Sequence, residues 1–129
     1  MSKNFFEIEK ASFAAGGINK VHNINLSIEN EGEIICLLGP SGIGKTTILR
    51  TIAGLEKIKS GKIFLKNKIL SSKNVHVEPE DRNIALSFQE NSLFPHYTVE
   101  KNINLGAERK KGKKRKISIK ETIKFLKLN

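Results

Sequence analysis

The sequence predicts an α/β fold in which a small antiparallel β-subdomain precedes a core of alternating strands and helices. Residues 4–13 and 21–28 have strand-like patterns, and the turn-forming stretch 15–17 between them predicts an antiparallel pair. Residues 33–38 then form an apolar run of strand length, and residues 47–53, which follow a glycine-rich loop, have helical character. The order strand, loop, helix is typical of α/β proteins. A chain of 129 residues is long enough for one modest domain.

Further elements are expected downstream. They are a helix C-cap at Gly54, a short strand at 62–65, a loop at 71–81, a strand at 84–88, a helix at 98–106 and an amphipathic helix from Ile119 to the C-terminus. The one cysteine, Cys36, cannot form an internal disulfide. It lies in the apolar run 33–38, so we expect a small buried residue rather than a nucleophile.

The glycine-rich loop, residues 39–46, matches the phosphate-binding pattern G-x-x-x-x-G-K-[ST]. Its glycines allow tight turns that direct successive N–H groups onto phosphate oxygens. The helix after it directs its positive end at the same anion. We expect Lys45 to reach the β- and γ-phosphates and the Thr46 hydroxyl to take one Mg²⁺ position. The alternative is an accidental turn, but both flanks are those that the motif requires. The predicted nucleotide-binding residues of this P-loop are Gly39, Pro40, Ser41, Gly42, Ile43, Gly44, Lys45, Thr46 and Thr47.

The net charge of +10 invites comparison with nucleic-acid-binding proteins. Seven of the eight residues 109–116 are basic, which would suit phosphate backbone or anionic lipid headgroups. No aromatic residue interrupts this run to stack on bases. We therefore favour a solvated basic connector, and nucleic acid is not an expected partner. No apolar run approaches the ~18 residues of a membrane span, and the N-terminus has no signal-peptide pattern.

The motifs around and beyond the loop resemble those of the ATP-binding subunit of ABC transporters. Residues 67–70 lack the aspartate of N-K-x-D, which argues against a GTPase. The likeness rests on GPSGIGKTT (39–47), IAGL (52–55), SG (60–61), PEDRNI (79–84), FQ (88–89), LFPHYTV (93–99) and NI (102–103). They occur in the family's order over essentially the whole chain. The stretch 93–99 resembles the importer branch for ferric iron, polyamine, sulfate or sugar, and ferric iron or polyamine is our first expectation.

This resemblance implies an incomplete P-loop NTPase core with bound ATP and Mg²⁺. It places Gln89 on the family's Q-loop glutamine, which contacts Mg²⁺ and the γ-phosphate side; read alone, Gln89 only ends a strand. It places Phe13 where the family stacks an aromatic on adenine, although Phe13 also fits a core position at a strand end. Ile43 departs from the family's small or polar residue, and His96 belongs to the region that faces the membrane partner. The implied partners are membrane-spanning permease subunits and a second nucleotide-binding subunit, with a cytoplasmic location on the inner membrane face.

The family's hydrolytic residues are not all found in the sequence. No Leu-Ser-Gly-Gly-Gln signature occurs, and the one aspartate, Asp81, follows no apolar strand that would make it the Walker B residue. The switch histidine is not identified either. We expect residues 1–129 to form a partial nucleotide-binding domain, truncated before those motifs, with no catalytic residue and negligible turnover alone. An apolar sheet edge left uncovered also predicts marginal stability.

Three hypotheses remain open from the sequence. The first is the ATP-binding part of an importer ATPase, which would work when a C-terminal half is supplied in trans. The second is a non-functional truncated remnant. The third is a basic protein that binds nucleic acid or a membrane surface through residues 109–116.

Overall fold

The computed structural model describes residues 4–14, 20–88, 92–108 and 118–127. The chain divides into two compact units, Met1–Leu86 and Ser87–Asn129. No helix in the described ranges is long and apolar enough to cross a membrane.

The first unit contains a four-stranded antiparallel sheet. Its strands are β1 (Phe6–Ala14), β2 (Lys20–Ile28), β3 (Ser60–Leu65) and β4 (Lys68–Ser71), in the order β2-β1-β3-β4. The predicted antiparallel subdomain and the predicted strand at 62–65 are confirmed. Strand β4 was not predicted. Its signal is the two-residue turn Lys66-Asn67, where both residues have left-handed backbone (φ 48° and 64°), as a tight hairpin requires.

A bulge in β1 explains the phase of its buried residues. Phe6 and Ile8 are buried at even positions, whereas Ala11 and Phe13 are buried at odd positions. The register with β3 shifts between Glu9 and Ser12, which inserts one residue and brings both pairs to the same face. Lys10, at the bulge, has φ 44°, and its N–H donates to Asn25 Oδ1 at 2.9 Å. Without the bulge, strict alternation of side chains would place Ala11 and Phe13 on the face opposite to Phe6 and Ile8.

The buried face of the sheet forms the core with helix α1 (Lys45–Ala53). Ile48 packs from the helix against Ile8, Phe13, Ile63 and Leu70 of the sheet. The helix ends as predicted at Gly54, which has φ 89° and whose N–H donates to the carbonyls of the last turn. Helix and sheet together therefore build the compact part of the first unit.

Two predicted strands are wrong. Residues 33–38 and 84–88 are not in strands, and both Ile34 and Leu38 are 91% exposed. Cys36 is exposed as well, so its expected burial is also wrong. The physical reason is that a parallel strand depends on neighbours for its backbone hydrogen bonds, and no described strand pairs with either run. Apolar composition alone does not make a strand.

The stretch 71–81, predicted as a loop, contains more order than expected. Ser71 forms an isolated β-bridge with His76, and a 3₁₀ turn covers Pro79–Asp81. The Val77 N–H donates to the Leu70 carbonyl at 2.9 Å. These bonds fold the stretch back onto the end of β4.

The second unit contains helices α2 (Val99–Glu108) and α3 (Ile119–Phe125). Both predicted helices are confirmed, although α3 ends at Phe125 instead of continuing to the C-terminus. Ser118 and Glu121 form a reciprocal capping box at the start of α3. The hydrogen bonds from Ser118 lower the pKa of the Glu121 carboxyl. The basic connector at 109–116 lies outside the described residues.

We predict that Gly61→Ala destabilises the first unit more than Gly32→Ala does. Both glycines have left-handed backbone (φ 85° and 98°), so both substitutions carry backbone strain of about 1–2 kcal/mol. A Cβ at Gly61 would meet the β1 bulge at Lys10 and Ala11, whereas a Cβ at Gly32 meets nothing within 4 Å. The total loss at Gly61 should reach about 2–4 kcal/mol in denaturant unfolding. Equal losses for the two variants would contradict this account of the bulge.

Candidate functional site

The glycine loop leads directly into α1, and its conformation depends on glycine at two positions. Gly42 has φ 81° and Gly44 has φ 106°, a left-handed region that residues with a Cβ rarely adopt. Gly44 is the N-cap of α1, so the helix begins at Lys45. The free N–H end of the helix, which carries partial positive charge, is therefore at the loop. No acidic residue lies in the first turn of α1 to oppose an anion there.

Lys45 is held by the loop itself. Its Nζ donates to the Gly39 carbonyl at 2.7 Å and to the Pro40 carbonyl at 2.6 Å. Both bonds join a full positive charge to neutral acceptors. An anion in the loop would compete for the same ammonium group, with a charge of its own in its favour.

The two threonines after Lys45 have different environments. Thr46 is exposed, so its hydroxyl is open to solvent at the first turn of the helix. Thr47 is only 8% exposed and faces the core, which leaves its backbone N–H as its contribution to an anion site. Of these two threonines, Thr46 is therefore the one whose hydroxyl is open to a ligand.

Ile43 fills a gap beside Gly39. A Cβ on Gly39 would lie 3.3 Å from Ile43 Cγ2, while the rest of the Ile43 side chain is largely exposed. The departure from a small or polar residue at position 43 is therefore accommodated by the neighbouring glycine.

Strand β2 reaches the loop through Val21. A Cβ on Gly44 would overlap Val21 Cγ2, so the sheet and the loop approach each other closely at this point. Val21 pairs in turn with Phe13 of β1. Phe13 is 1% exposed and belongs to the core, which is the alternative that its strand-end position allowed. The ring presents no free face in this conformation, and adenine stacking on Phe13 stays a prediction.

The expected metal site cannot be assembled from described residues. Gln89 lies outside the described ranges, so its role stays a prediction. Within the described ranges, no group of three or more His, Cys, Asp or Glu side chains could hold a metal ion.

Arg82 belongs to the stretch PEDRNI (79–84), and the sequence does not predict its structural role. It is 1% exposed, and its guanidinium donates to the carbonyls of Thr51 and Ile52 at the end of α1, both at 3.1 Å. Burial lowers the pKa of Arg82 from its ordinary value, and the Glu78 carboxylate acts in the opposite direction. A guanidinium stays charged despite such a shift. Arg82 therefore acts as a cationic cap on the C-terminal end of α1.

The space for Arg82 comes from Gly54. A Cβ on Gly54 would approach Arg82 Nε, Cδ and Cζ, so this glycine serves both the C-cap and the buried guanidinium. No periodic pattern marks a buried arginine, because charged residues are ordinarily exposed. The paired glycine and arginine could be recognised only from the folded chain.

An apolar groove lies beside α1, which contributes Leu49 and Ile52 to its lining. It has a volume of about 640 Å³ and is lined mainly by Phe6, Leu26, Ile35, Leu37, Leu49 and Ile84. Ile35 and Leu37 come from the run that was expected to be a strand. The lining is predominantly apolar, with Glu31, Lys66 and Asn83 as its polar members, so the groove differs in chemistry from the glycine loop.

In the second unit, Asn102 organises residues 94–98. Its Oδ1 accepts from the Phe94 N–H at 2.8 Å, and its Nδ2 donates to the carbonyls of Phe94, Tyr97 and Thr98 at 3.0–3.3 Å. The rings of Phe94, His96 and Tyr97 contact one another with centroids 4.3–5.8 Å apart. The region that resembles the membrane-facing segment of the family is therefore an ordered aromatic turn fixed by one amide.

We predict that Gly44→Ala destabilises the first unit more than Gly42→Ala does. Both positions have positive φ, but a Cβ at Gly42 meets nothing within 4 Å, whereas one at Gly44 overlaps Val21. A double-mutant cycle with Val21→Ala should return a coupling of about 1 kcal/mol or more, because the smaller side chain removes the overlap. Additive effects in urea unfolding would contradict the close approach of β2 to the loop.

We predict that Asn102→Ala exposes the Phe94 amide to solvent. Hydrogen exchange at that amide should accelerate by about tenfold or more, since its acceptor is removed. Asn104→Ala is the matched control, because Asn104 Nδ2 donates within the helix to the Glu100 carbonyl at 2.9 Å. A similar acceleration in both variants would show helix loss rather than loss of the Asn102 bonds.

Comparison with known proteins identifies relatives of this chain. A family model described as ABC transporter matches residues 21–129. The chain is 41% identical over 128 residues to the Fe(3+) ions import ATP-binding protein FbpC of Fusobacterium nucleatum, covering 99% of this chain and 33% of that protein. It is 47% identical over 96 residues to the sn-glycerol-3-phosphate import ATP-binding protein UgpC 2 of Rhizobium johnstonii, covering 74% of this chain and 26% of that protein.

The fold has a solved counterpart. MJ1267, described as an ATP-binding cassette of an ABC transporter, matches with a TM-score of 0.70 and 24% identity, over 97% of this chain and 55% of that chain. The α/β fold with a P-loop core and an antiparallel subdomain is thereby confirmed. The chain spans a third or less of the length of the two curated relatives named above. By its family match over residues 21–129, the chain belongs to the ABC transporter family.

Proposed function

We propose that this chain binds ATP·Mg²⁺ through residues 39–47 and serves as the nucleotide-binding part of an importer's ATP-binding subunit. The observation that carries the proposal is the start of α1. An uncapped helix N-terminus, two left-handed glycines and the Lys45 ammonium all lie at one loop with no acidic residue in the first helical turn. This combination suits a polyphosphate better than any other ligand class.

Within this proposal the residues have separate tasks. Backbone N–H groups of residues 41–46 would surround the phosphates, and Lys45 would exchange its two carbonyl acceptors for β- and γ-phosphate oxygens. The exposed Thr46 hydroxyl would hold Mg²⁺ together with Gln89. Mg²⁺ supplies charge neutralisation between the phosphates. Phe13 would stack on adenine only after its ring leaves the core. Contact with adenine is therefore the least supported of the roles proposed for these residues.

Ferric iron is the cargo we propose for the parent transporter. The Fusobacterium relative that covers 99% of this chain is named for Fe(3+) import. The Rhizobium relative is named for sn-glycerol-3-phosphate import and is the more identical over its shorter match, so glycerol phosphate is the competing cargo. Polyamine, expected from the sequence, has no support from these relatives. Cargo choice would belong to other subunits.

The proposed partners follow from the relatives' importer names. We assign contact with the permease subunits to the aromatic turn at residues 93–98, and contact with a second nucleotide-binding subunit to the P-loop side. We place the assembly in the cytoplasm at the inner face of the membrane. Leu93 is 70% exposed and Phe94 43% exposed, which gives this turn an apolar surface for a partner. The turn is fixed by Asn102 before any partner binds.

Hydrolysis would require residues that are not in this sequence. The signature motif and an Asp-Glu pair after an apolar strand are both lacking. The apolar groove is a surface that a complementary segment would cover, and Ile34 and Leu38, which do not line it, are exposed as well. We keep the half that works with a second part as the first hypothesis and the truncated remnant as its alternative. The basic connector that would serve the nucleic-acid hypothesis lies outside the described residues.

We predict that Lys45→Ala weakens binding of Mg·ATP to the 129-residue chain by about tenfold or more, because a charge-assisted phosphate contact is lost. Lys62→Ala is the matched control, since Lys62 is an exposed lysine of β3 far along the chain from the loop. Isothermal titration calorimetry measures both affinities. Thermal unfolding should change by less than about 0.5 kcal/mol in either variant. A folded wild-type chain that does not bind Mg·ATP would refute the proposed function.

A further inference from the structure

Helix α3 of the second unit carries an apolar stripe with lysines beside it. The apolar residues recur at intervals of four and three positions, which places them on one side of the helix: Ile119, Ile123 and Leu126. Each is followed in the sequence by a lysine, about 100° further round the helix: Lys120, Lys124 and Lys127. Apolar and basic side chains therefore occupy adjoining strips of a short helix.

The end of α3 has large apolar side chains that the second unit does not cover. Phe125 is 84% exposed and Leu126 is 55% exposed, whereas Ile119 and Ile123 are half-buried. The three lysines of α3 are exposed, and no ion pair between described residues involves them. The helix thus offers uncompensated positive charge next to uncovered apolar surface.

The acidic residue of α3 does not neutralise this charge. The Glu121 carboxylate accepts from the Ser118 N–H at 2.8 Å in the capping box, so it is engaged at the start of the helix. Its position, two residues after Ile119, is on the side of the helix away from the apolar stripe. The apolar stripe therefore has only lysines along its charged flank.

The net charge of the chain is concentrated in the same part of the sequence. Residues 109–127 contain ten lysines and arginines and one acidic residue. The other 110 residues contain 13 basic and 12 acidic residues, so they are almost neutral as a set. Long-range attraction to an anionic surface would therefore bring the region of α3 to that surface first.

We propose that α3 lies on the surface of a membrane that contains anionic lipid. Its lysines contact the lipid headgroups, and Phe125 and Leu126 enter the boundary between headgroups and acyl chains. A short helix with lysines on one strip and exposed Phe and Leu side chains beside it suits that location. This inference goes beyond the proposed nucleotide binding, because it requires neither ATP nor a permease subunit.

A membrane surface suits both strips of α3, whereas a nucleic acid suits one. The phosphates of a duplex would attract the lysines, but a duplex would leave the apolar side chains of Phe125 and Leu126 uncovered. Proteins that bind single strands stack successive bases on several aromatic rings, and Phe125 is the one aromatic residue of α3. Anionic lipid supplies the charge and the apolar layer together.

The first measurement is vesicle binding by the 129-residue chain at low salt. Vesicles of phosphatidylcholine mixed with phosphatidylglycerol should bind the chain about tenfold or more better than vesicles of phosphatidylcholine alone. Replacing the three lysines of α3 with glutamine should lower this binding by about tenfold or more. The matched control makes the same change in charge at exposed lysines of the first unit, with a loss below about threefold: Lys62, Lys68 and Lys73.

The second measurement reports on the position of α3 itself. The chain contains no tryptophan, so Phe125→Trp introduces a single fluorescent reporter. Its emission should shift to shorter wavelength with the anionic vesicles and stay unchanged with phosphatidylcholine alone, because the ring then moves from water into the interface. Ile34→Trp, at a 91% exposed position of the first unit, should show no shift with either vesicle.

Four outcomes would overturn the proposal. Equal losses in the two lysine variants would show attraction by net charge alone, and unshifted emission from Phe125→Trp would show that α3 stays in water. Binding that survives the α3 substitutions but is lost when the basic residues of 109–116 become glutamine would belong to the connector. Binding to a DNA duplex without binding to vesicles would indicate nucleic acid. Mg·ATP affinity, measured separately, decides the proposed function and leaves these comparisons intact.

Discussion

The packing of helix α1 on the antiparallel sheet is the interaction on which the rest of the first unit depends. The helix is fixed at three points: Gly44 against Val21 at its start, Ile48 in the core at its middle, and Arg82 on its last carbonyls. Each point uses a different force, namely close backbone approach, apolar burial and charge-assisted hydrogen bonding. Loss of the Ser71 hydroxyl would remove one acceptor from the buried guanidinium, at a cost of about 1–3 kcal/mol. The geometry of the loop is thus a consequence of where α1 is held.

The apolar residues on the groove side have a different status from those in the core. In the core, the backbone groups of β1 and β3 are hydrogen-bonded within the sheet, and α1 covers the apolar side chains on the buried face of these strands. Residues 33–38 have the composition of a buried strand, and 84–88 resemble them, but neither run has a described strand beside it. Their exposure shows that the burial of a parallel strand depends on the strands beside it and not only on its own apolar composition. The same reasoning explains why Cys36 is exposed although its sequence context is that of a core residue.

The sequence predicted those features that depend on local chemistry. The N-terminal strand pair, the helix after the glycine loop, the Gly54 cap and helices α2 and α3 all depend on short-range patterns of apolar, turn-forming and capping residues. What it did not predict depends on contacts between distant residues. The bulge at Lys10 is invisible without the partner strand, and Arg82 reaches carbonyls 30 and 31 positions away. The order of residues 94–98 was likewise missed, because one amide at Asn102 organises it from the following helix.

The loop is arranged so that an arriving phosphate changes little beyond one side chain. The left-handed conformations of Gly42 and Gly44 are already present, and the first N–H groups of α1 are already at the loop. Only Lys45 must move, by releasing two carbonyls that are neutral and solvent-accessible in favour of an anion. The exchange is favourable because the ammonium group then faces a full negative charge instead of carbonyl dipoles. Because the backbone is preorganised, the affinity for phosphate depends on how firmly α1 is held. The contacts at the C-terminal end of α1 are among those that hold it.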